Sequence, residues 1–335
     1  MPAVQKRYRR RRRLRPQFVI FCLVVALLLL GIVLLLSRCS AKRQAEPAGA
    51  VQQVEEIKPK KAKQKNTKQR EVMSEETVEE TENGIPAGYI PATADIGAGT
   101  LILVSNDHDY TFPASVELVV SLEQRTAEKY LVRDFTVRQE KQTFAVFDRM
   151  LCDFADATGH TDVNITSAYR SYDEQQDVFN SSAAANGLEH AKRYVTHPGG
   201  SEHHTGLAAD LNVYNVNNGT CYDFDGQGDY KWVYDHCAEY GIVLRYGADK
   251  ESITNIAPES WHFRYVGVPH AKYMTENNLC LEEYIDLLRQ YTVNSPLNYE
   301  GYTIYFCPQN ALVVPEGGNY TISGNNVDGF IVTVG

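Results

Sequence analysis

Hydrophobic and polar positions alternate differently in four successive parts of the 335-residue chain. Phe18 to Leu36 ("FVIFCLVVALLLLGIVLLL") runs without a charge on any face. That length matches the roughly 20 residues of a membrane span, whereas the apolar centre of a cleavable signal has roughly 7–15. No small-x-small cleavage site follows before "SRCSAKRQ". Residues 17–37 therefore predict a transmembrane signal anchor. Residues 38–85 turn polar, rich in Lys, Glu, Gln and Thr and almost free of aromatics. Such a composition cannot bury enough apolar surface to fold, so it predicts a disordered linker.

From residue 86 the pattern becomes that of a folded domain. "GTLILVSN" (99–106), "DVNITSAYR" (162–170), "GLAADLNVY" (206–214) and "WHFRYVG" (261–267) read as strands. Phe144, Phe147, Met150, Leu151 and Phe154 make a helical stripe that Gly159 closes. Ser171 is placed to cap a helix through "SYDEQQDVFNSSAAA". "YKWVYDHCAEYG" (230–241) and "LEEYIDLLRQY" (281–291) add two more helices. Residues 293–335 are β-rich. The expected fold is α+β, with a main domain over 86–292 and a small β-rich C-terminal appendage over 293–335.

Charge changes this picture at the N-terminus. Eight of the first sixteen residues are Lys or Arg, and none is acidic. The 25 other basic residues face 42 acidic ones, so residues 17–335 carry about −17. A basic segment ahead of an apolar span stays in the cytoplasm. Residues 1–16 are thus expected to be a cytoplasmic tail of a single-pass cell-membrane protein whose main domain lies outside the cytoplasm. The acidic body makes nucleic acid an improbable partner. Arg38 beside Cys39 argues against lipid attachment there. Five cysteines fall in the exported part without a C-x-x-C pair, which disfavours a zinc knuckle and leaves one or two disulfides or buried thiols as alternatives.

Candidate chemistry gathers in two segments. In "SEHHTGLAAD" His203 and Asp210 flank a turn at Gly206, and "ESWHFRY" supplies His262. Two imidazoles and one carboxylate, with a fourth position open, form the donor set of a catalytic zinc. Glu259, three residues before His262, is placed to act as a general base without being a ligand. Arg170 stands at a strand-to-helix junction, where its guanidinium can bind a carboxylate or steady an oxyanion. Each piece alone has a bland reading: a satisfied strand histidine, a turn-capping aspartate, a surface arginine.

The three segments "SAYRSYDEQ", "SEHHTGLAAD" and "ESWHFRYVG" resemble, in order, motifs of the VanY-type D-alanyl-D-alanine carboxypeptidases. The likeness spans roughly Gly99 to Tyr284. It implies the Hedgehog/D-Ala-D-Ala peptidase-like fold, with a mainly antiparallel central sheet flanked by helices. It also implies one zinc ion per chain on His203, Asp210 and His262, with Glu259 catalytic. Arg170 would be catalytic and substrate-binding, and Gln175, Ser167 and Ser201 would contact the substrate. Two positions depart from the pattern: Ala168 replaces a usual glycine, tolerable if φ is negative there, and His204 replaces an amide. His204 is expected beside the site or exposed. Arg264 is as readily a structural support. The expected activity is a zinc-dependent D,D-carboxypeptidase acting on peptidoglycan stem peptides or precursors near the membrane. An L,D-carboxypeptidase or endopeptidase would use the same motifs. A non-catalytic wall-binding or signalling module, as in the Hedgehog domain, is the alternative from another class; an intact Glu259 weighs against it.

Overall fold

The computed structural model describes residues 85–113 and 115–335. The expected tail, anchor and, but for Ile85, linker lie outside the described residues. Among the described residues no helix is long and apolar enough to cross a membrane.

A six-stranded sheet carries the site. Its strands are β1 (Leu131–Val132), β2 (Val163–Ser167), β3 (Ala208–Asn215), β4 (Thr220–Asp223), β5 (Ile242–Tyr246) and β6 (Glu259–Tyr265). The order is β1-β2-β3-β6-β5, and β4 pairs with the second half of β3. Only β1 and β2 run parallel. The fold is α+β with mixed sheets.

Strand alternation sorts the residues of β3 and β6 into two sets. Ala209, Leu211, Val213, Phe263 and Tyr265 join the main core. There they meet Phe147, Met150, Leu151 and Phe154 of the helix α1 (Lys141–Thr158). Ala208, Asp210, His262 and Arg264 take the opposite parity, and β3 and β6 pair so that Asp210 stands opposite His262 and Ala208 opposite Arg264. Packing thus occupies one face and frees the other for chemistry.

The helices begin where the sequence supplies caps. Glu140 accepts the backbone N–H of Gln142 and Thr143 at the start of α1, and Gly159 ends it in the left-handed conformation. Ser171 and Glu174 form a capping box at the start of α2 (Tyr172–Asn186), followed by α3 (Leu188–Tyr194). The segment 230–241 forms α4 (Lys231–His236) and a 3-10 turn (Cys237–Tyr240). Then come α5 (Val268–Glu276) and α6 (Leu281–Leu288).

The expected strand over 99–106 is not one. Leu101, Ile102, Leu103 and Val104 are buried, yet the segment has only an isolated bridge from Ser105 to His108. Side chains and loops satisfy its backbone instead. Leu101 N–H donates to Ser323 Oγ and Leu103 N–H to the Asn325 carbonyl. The carbonyls of Thr100 and Ile102 accept from Arg264, and that of Leu103 from Asn326. An apolar run reports burial, not the identity of its hydrogen-bond partners.

The β-rich end folds as β7 (Leu297–Tyr299), β8 (Tyr302–Pro308), β9 (Tyr320–Gly324) and β10 (Gly329–Val334) in the order β7-β8-β10-β9. It shares a hydrophobic cluster with the main domain: Ile304 and Ile331 pack with Leu101, Val243, Tyr284 and Leu288. All five described cysteines (Cys152, Cys221, Cys237, Cys280 and Cys307) are free thiols.

Candidate active site

Asp210 sits mid-sheet with Ser167 of β2 opposite it on one side and His262 of β6 on the other. Two irregularities aim the neighbours. The β2–β3 register shifts between Ile165 and Ser167, which brings Ser167 level with Asp210. The β5–β6 register shifts between Leu244 and Tyr246. In a regular strand Glu259 and His262, three apart, would point to opposite faces; the irregularity lets both reach one cleft. His203 arrives from a 3-10 turn (Glu202–Thr205) that Gly206 ends at φ 73°. A Cβ on Gly206 would lie 2.9 Å from the Glu140 backbone nitrogen, so both conformation and space call for glycine.

Asp210 Oδ2 lies 3.1 Å from His203 Nε2, and Oδ1 lies 2.9 Å from His262 Nδ1. One donor atom from each of the three residues lies within 4.8 Å of the others. Three ligands held about 2.0–2.2 Å from a tetrahedral ion are separated by about 3.3–3.6 Å, so small shifts open this trio to accept one. The tautomers fit. His203 Nδ1–H donates to the Ala168 carbonyl at 2.5 Å, leaving Nε2 free. His262 Nε2–H donates to Glu202 Oε2 at 3.3 Å, so Nδ1 is the ring atom turned to Asp210. Ala168 is not among the residues with positive φ, so alanine is tolerated there.

Electrostatics sharpen the division of labour. Burial, helped by the neighbouring Arg170 charge, pushes His203 below its usual range, towards the neutral form a ligand needs. Asp210 is held well below the carboxylate range: burial opposes this, but His203 and His262 outweigh it. Burial would depress His262, yet its bonds to Asp210 and Glu202 raise it to about 9. Glu259 is pushed up to about 8, chiefly by burial, with His262 offsetting only part. Its Oε2 lies 3.9 Å from His262 Nδ1.

Arg170 leans over Asp210, Nη2 to Oδ2 3.7 Å. Its Nη1 donates to Gln175 Oε1 at 2.6 Å and its Nη2 to Ser167 Oγ at 2.9 Å. Gln175 Nε2 in turn donates to the Thr196 carbonyl at 2.7 Å. Gln175, expected to contact substrate, lines the cleft, and its buried amide is bonded at both ends. It holds Arg170 in place. Ser201 is buried beneath the cleft it lines. The cleft encloses about 180 Å³ between Arg170, Tyr194, Glu259, Trp261 and His262.

His204 is neither exposed nor a ligand. It is fully buried; Nδ1–H donates to the Arg170 carbonyl at 2.7 Å and Nε2 accepts the Gly199 N–H at 3.0 Å. Sequence reasoning missed Glu202 and Arg245 altogether. Glu202 Oε1 accepts from Arg245 Nε at 2.8 Å and Arg264 Nη1 at 2.7 Å, all three side chains being sealed from solvent. For Arg245 the available signal was a charged residue inside the apolar stretch "IVLRYG"; Glu202 stands in the polar run "SEHHTG", where nothing marks it as buried.

The family described as "VanY: D-alanyl-D-alanine carboxypeptidase" matches residues 137–268, which hold every one of these site residues. A D-alanyl-D-alanine carboxypeptidase of Enterococcus faecium is 32% identical over 242 residues, covering 70% of this chain and 75% of that protein. The chain belongs to the VanY-type D-alanyl-D-alanine carboxypeptidase family. It is therefore a peptidase. The bifunctional D-Ala-D-Ala dipeptidase and carboxypeptidase VanXYC of Enterococcus gallinarum is 39% identical over 137 residues, covering 40% of this chain and 72% of that one. Among solved structures, the D,D-dipeptidase VanXYg in complex with a D-Ala-D-Ala phosphinate analogue superposes on this VanY-type chain with a TM-score of 0.63. It is 32% identical and covers 71% of this chain and 94% of that one.

Proposed function

We propose that this chain is a zinc-dependent D,D-carboxypeptidase that removes the terminal D-Ala from peptidoglycan stem peptides. The observation that carries the reading is the convergence of His203 Nε2, Asp210 and His262 Nδ1 beside a buried Glu259 that is no part of the trio. Two nitrogens and one carboxylate oxygen suit one zinc ion per chain. When bound, zinc supplies Lewis acidity, polarising a carbonyl and easing the deprotonation of water. Glu259 takes the proton of the attacking water and delivers it to the leaving amine; standing beside the trio without belonging to it, it is free for both halves of that transfer. Arg170, clamped by Gln175 and Ser167, holds negative charge of the substrate carboxylate or of the oxyanion.

The location belongs to the same proposal. A basic tail, an anchor over 17–37 and a linker over 38–85 would tether the peptidase outside the cytoplasm, within tens of ångströms of emerging wall precursors. Incubating the protein with defined tri-, tetra- and pentapeptide stems and weighing the products tests the reading. Loss of one D-Ala from the pentapeptide is expected. Cleavage of the tetrapeptide alone would point to L,D-carboxypeptidase action, and internal cleavage to an endopeptidase.

A further inference from the structure

The buried charges beside His262 take no part in the proton transfers just described. Removing ions from water costs several kcal/mol each even after relaxation, by an order-of-magnitude estimate, and apolar residues of like volume often stabilise as well. The arrangement here is directional. Glu282, at the start of α6, accepts from Arg245 Nη1 and Nη2 at 2.9 and 2.6 Å. Arg245 Nε and Arg264 Nη1 then converge on a single oxygen of Glu202, Oε1. Arg264 is itself fixed by the carbonyls of Thr100 and Ile102. Glu202 Oε2 is left for one partner, His262 Nε2. An ionised carboxylate only accepts, so the imidazole must present Nε2–H to Glu202, which leaves Nδ1, 2.9 Å from Asp210 Oδ1, as the ring atom a metal ion would take. His203 is oriented by a backbone carbonyl instead, so this device serves one ligand only.

We propose that Glu202 is a positioning residue: pinned by Arg245 and Arg264, its carboxylate fixes the tautomer and angle of His262 for metal binding through Nδ1. This rests on the zinc reading above. The test uses the full chain and zinc itself. Glu202→Gln keeps the side-chain shape but offers an amide, and chelator competition is expected to show zinc affinity falling by about 10–100-fold. Glu282→Gln removes the same charge from Arg245 at the end remote from His262 and is expected to bind zinc like the natural chain. Equal weakening in both variants, or none in Glu202→Gln, overturns the proposal. A measurement on the natural chain stands apart from any folding defect. In the zinc-loaded, 15N-labelled protein the His262 ring proton is expected on Nε2, and finding it on Nδ1 overturns the proposal. A natural chain that binds no zinc sinks the zinc reading and this inference with it; intact binding in Glu202→Gln sinks this inference alone.

Discussion

Glu202 and Glu259 are both buried carboxyls beside His262, and their surroundings drive them in opposite directions. Burial would raise both. At Glu202 the guanidinium groups of Arg245 and Arg264 outweigh it and hold the carboxylate well below the usual range. At Glu259 the nearby His262 and Arg170 offset burial only in part, and the group rises to about 8. Depth therefore does not decide what a buried acid does; the partners within hydrogen-bond reach decide it. One glutamate becomes a fixed part of the scaffold. The other faces the cleft, poised to exchange a proton.

The largest effect should come from disarming the sealed side. Arg264→Met leaves Glu202 with one cation fewer and strips two buried carbonyls of their donor. Denaturant unfolding is expected to show a loss of about 3–5 kcal/mol; a change near zero would mean the network carries no stability.

The open side predicts the reverse sign. A carboxyl whose native pKa lies near 8, above its ordinary value of 4.5, costs stability as pH rises between those values. In metal-free protein Glu259→Gln should melt like the natural chain near pH 4 and progressively above it towards pH 8. Melting curves that stay parallel across that window would contradict the assigned environment of Glu259. A smaller effect marks the helix that positions Arg170. Ser171→Ala removes the capping box at α2 and should cost about 1 kcal/mol, with turnover changed only as far as Arg170 shifts.

Much of this molecule could be read from its residues. The stripe from Phe144 to Phe154, the cap at Ser171 and the alternation in "GLAADLNVY" fix their elements because local pattern and tertiary burial agree there. His203, Asp210 and His262 were legible together because donor types and spacing limit what can converge. The segment 99–106 was misread since a buried apolar run does not say whether a strand or a set of side chains will satisfy its backbone. The register irregularity that swings Glu259 into the cleft is a property of strand pairing, invisible in one strand's sequence. Glu202 escaped notice for a related reason: its partners Arg245, His262 and Arg264 come from two later strands. That Thr196 and Arg170 share the amide of Gln175 is likewise invisible in the sequence, since Thr196 comes from a separate segment.

The most direct measurement pairs zinc content with turnover in the same sample of Glu259→Gln. One zinc ion per chain is expected, as in the natural protein, with release of D-Ala from a pentapeptide stem reduced by about 10²–10⁴-fold. Near-natural turnover, or loss of the metal along with the activity, would contradict the separation of base from ligands on which the account stands.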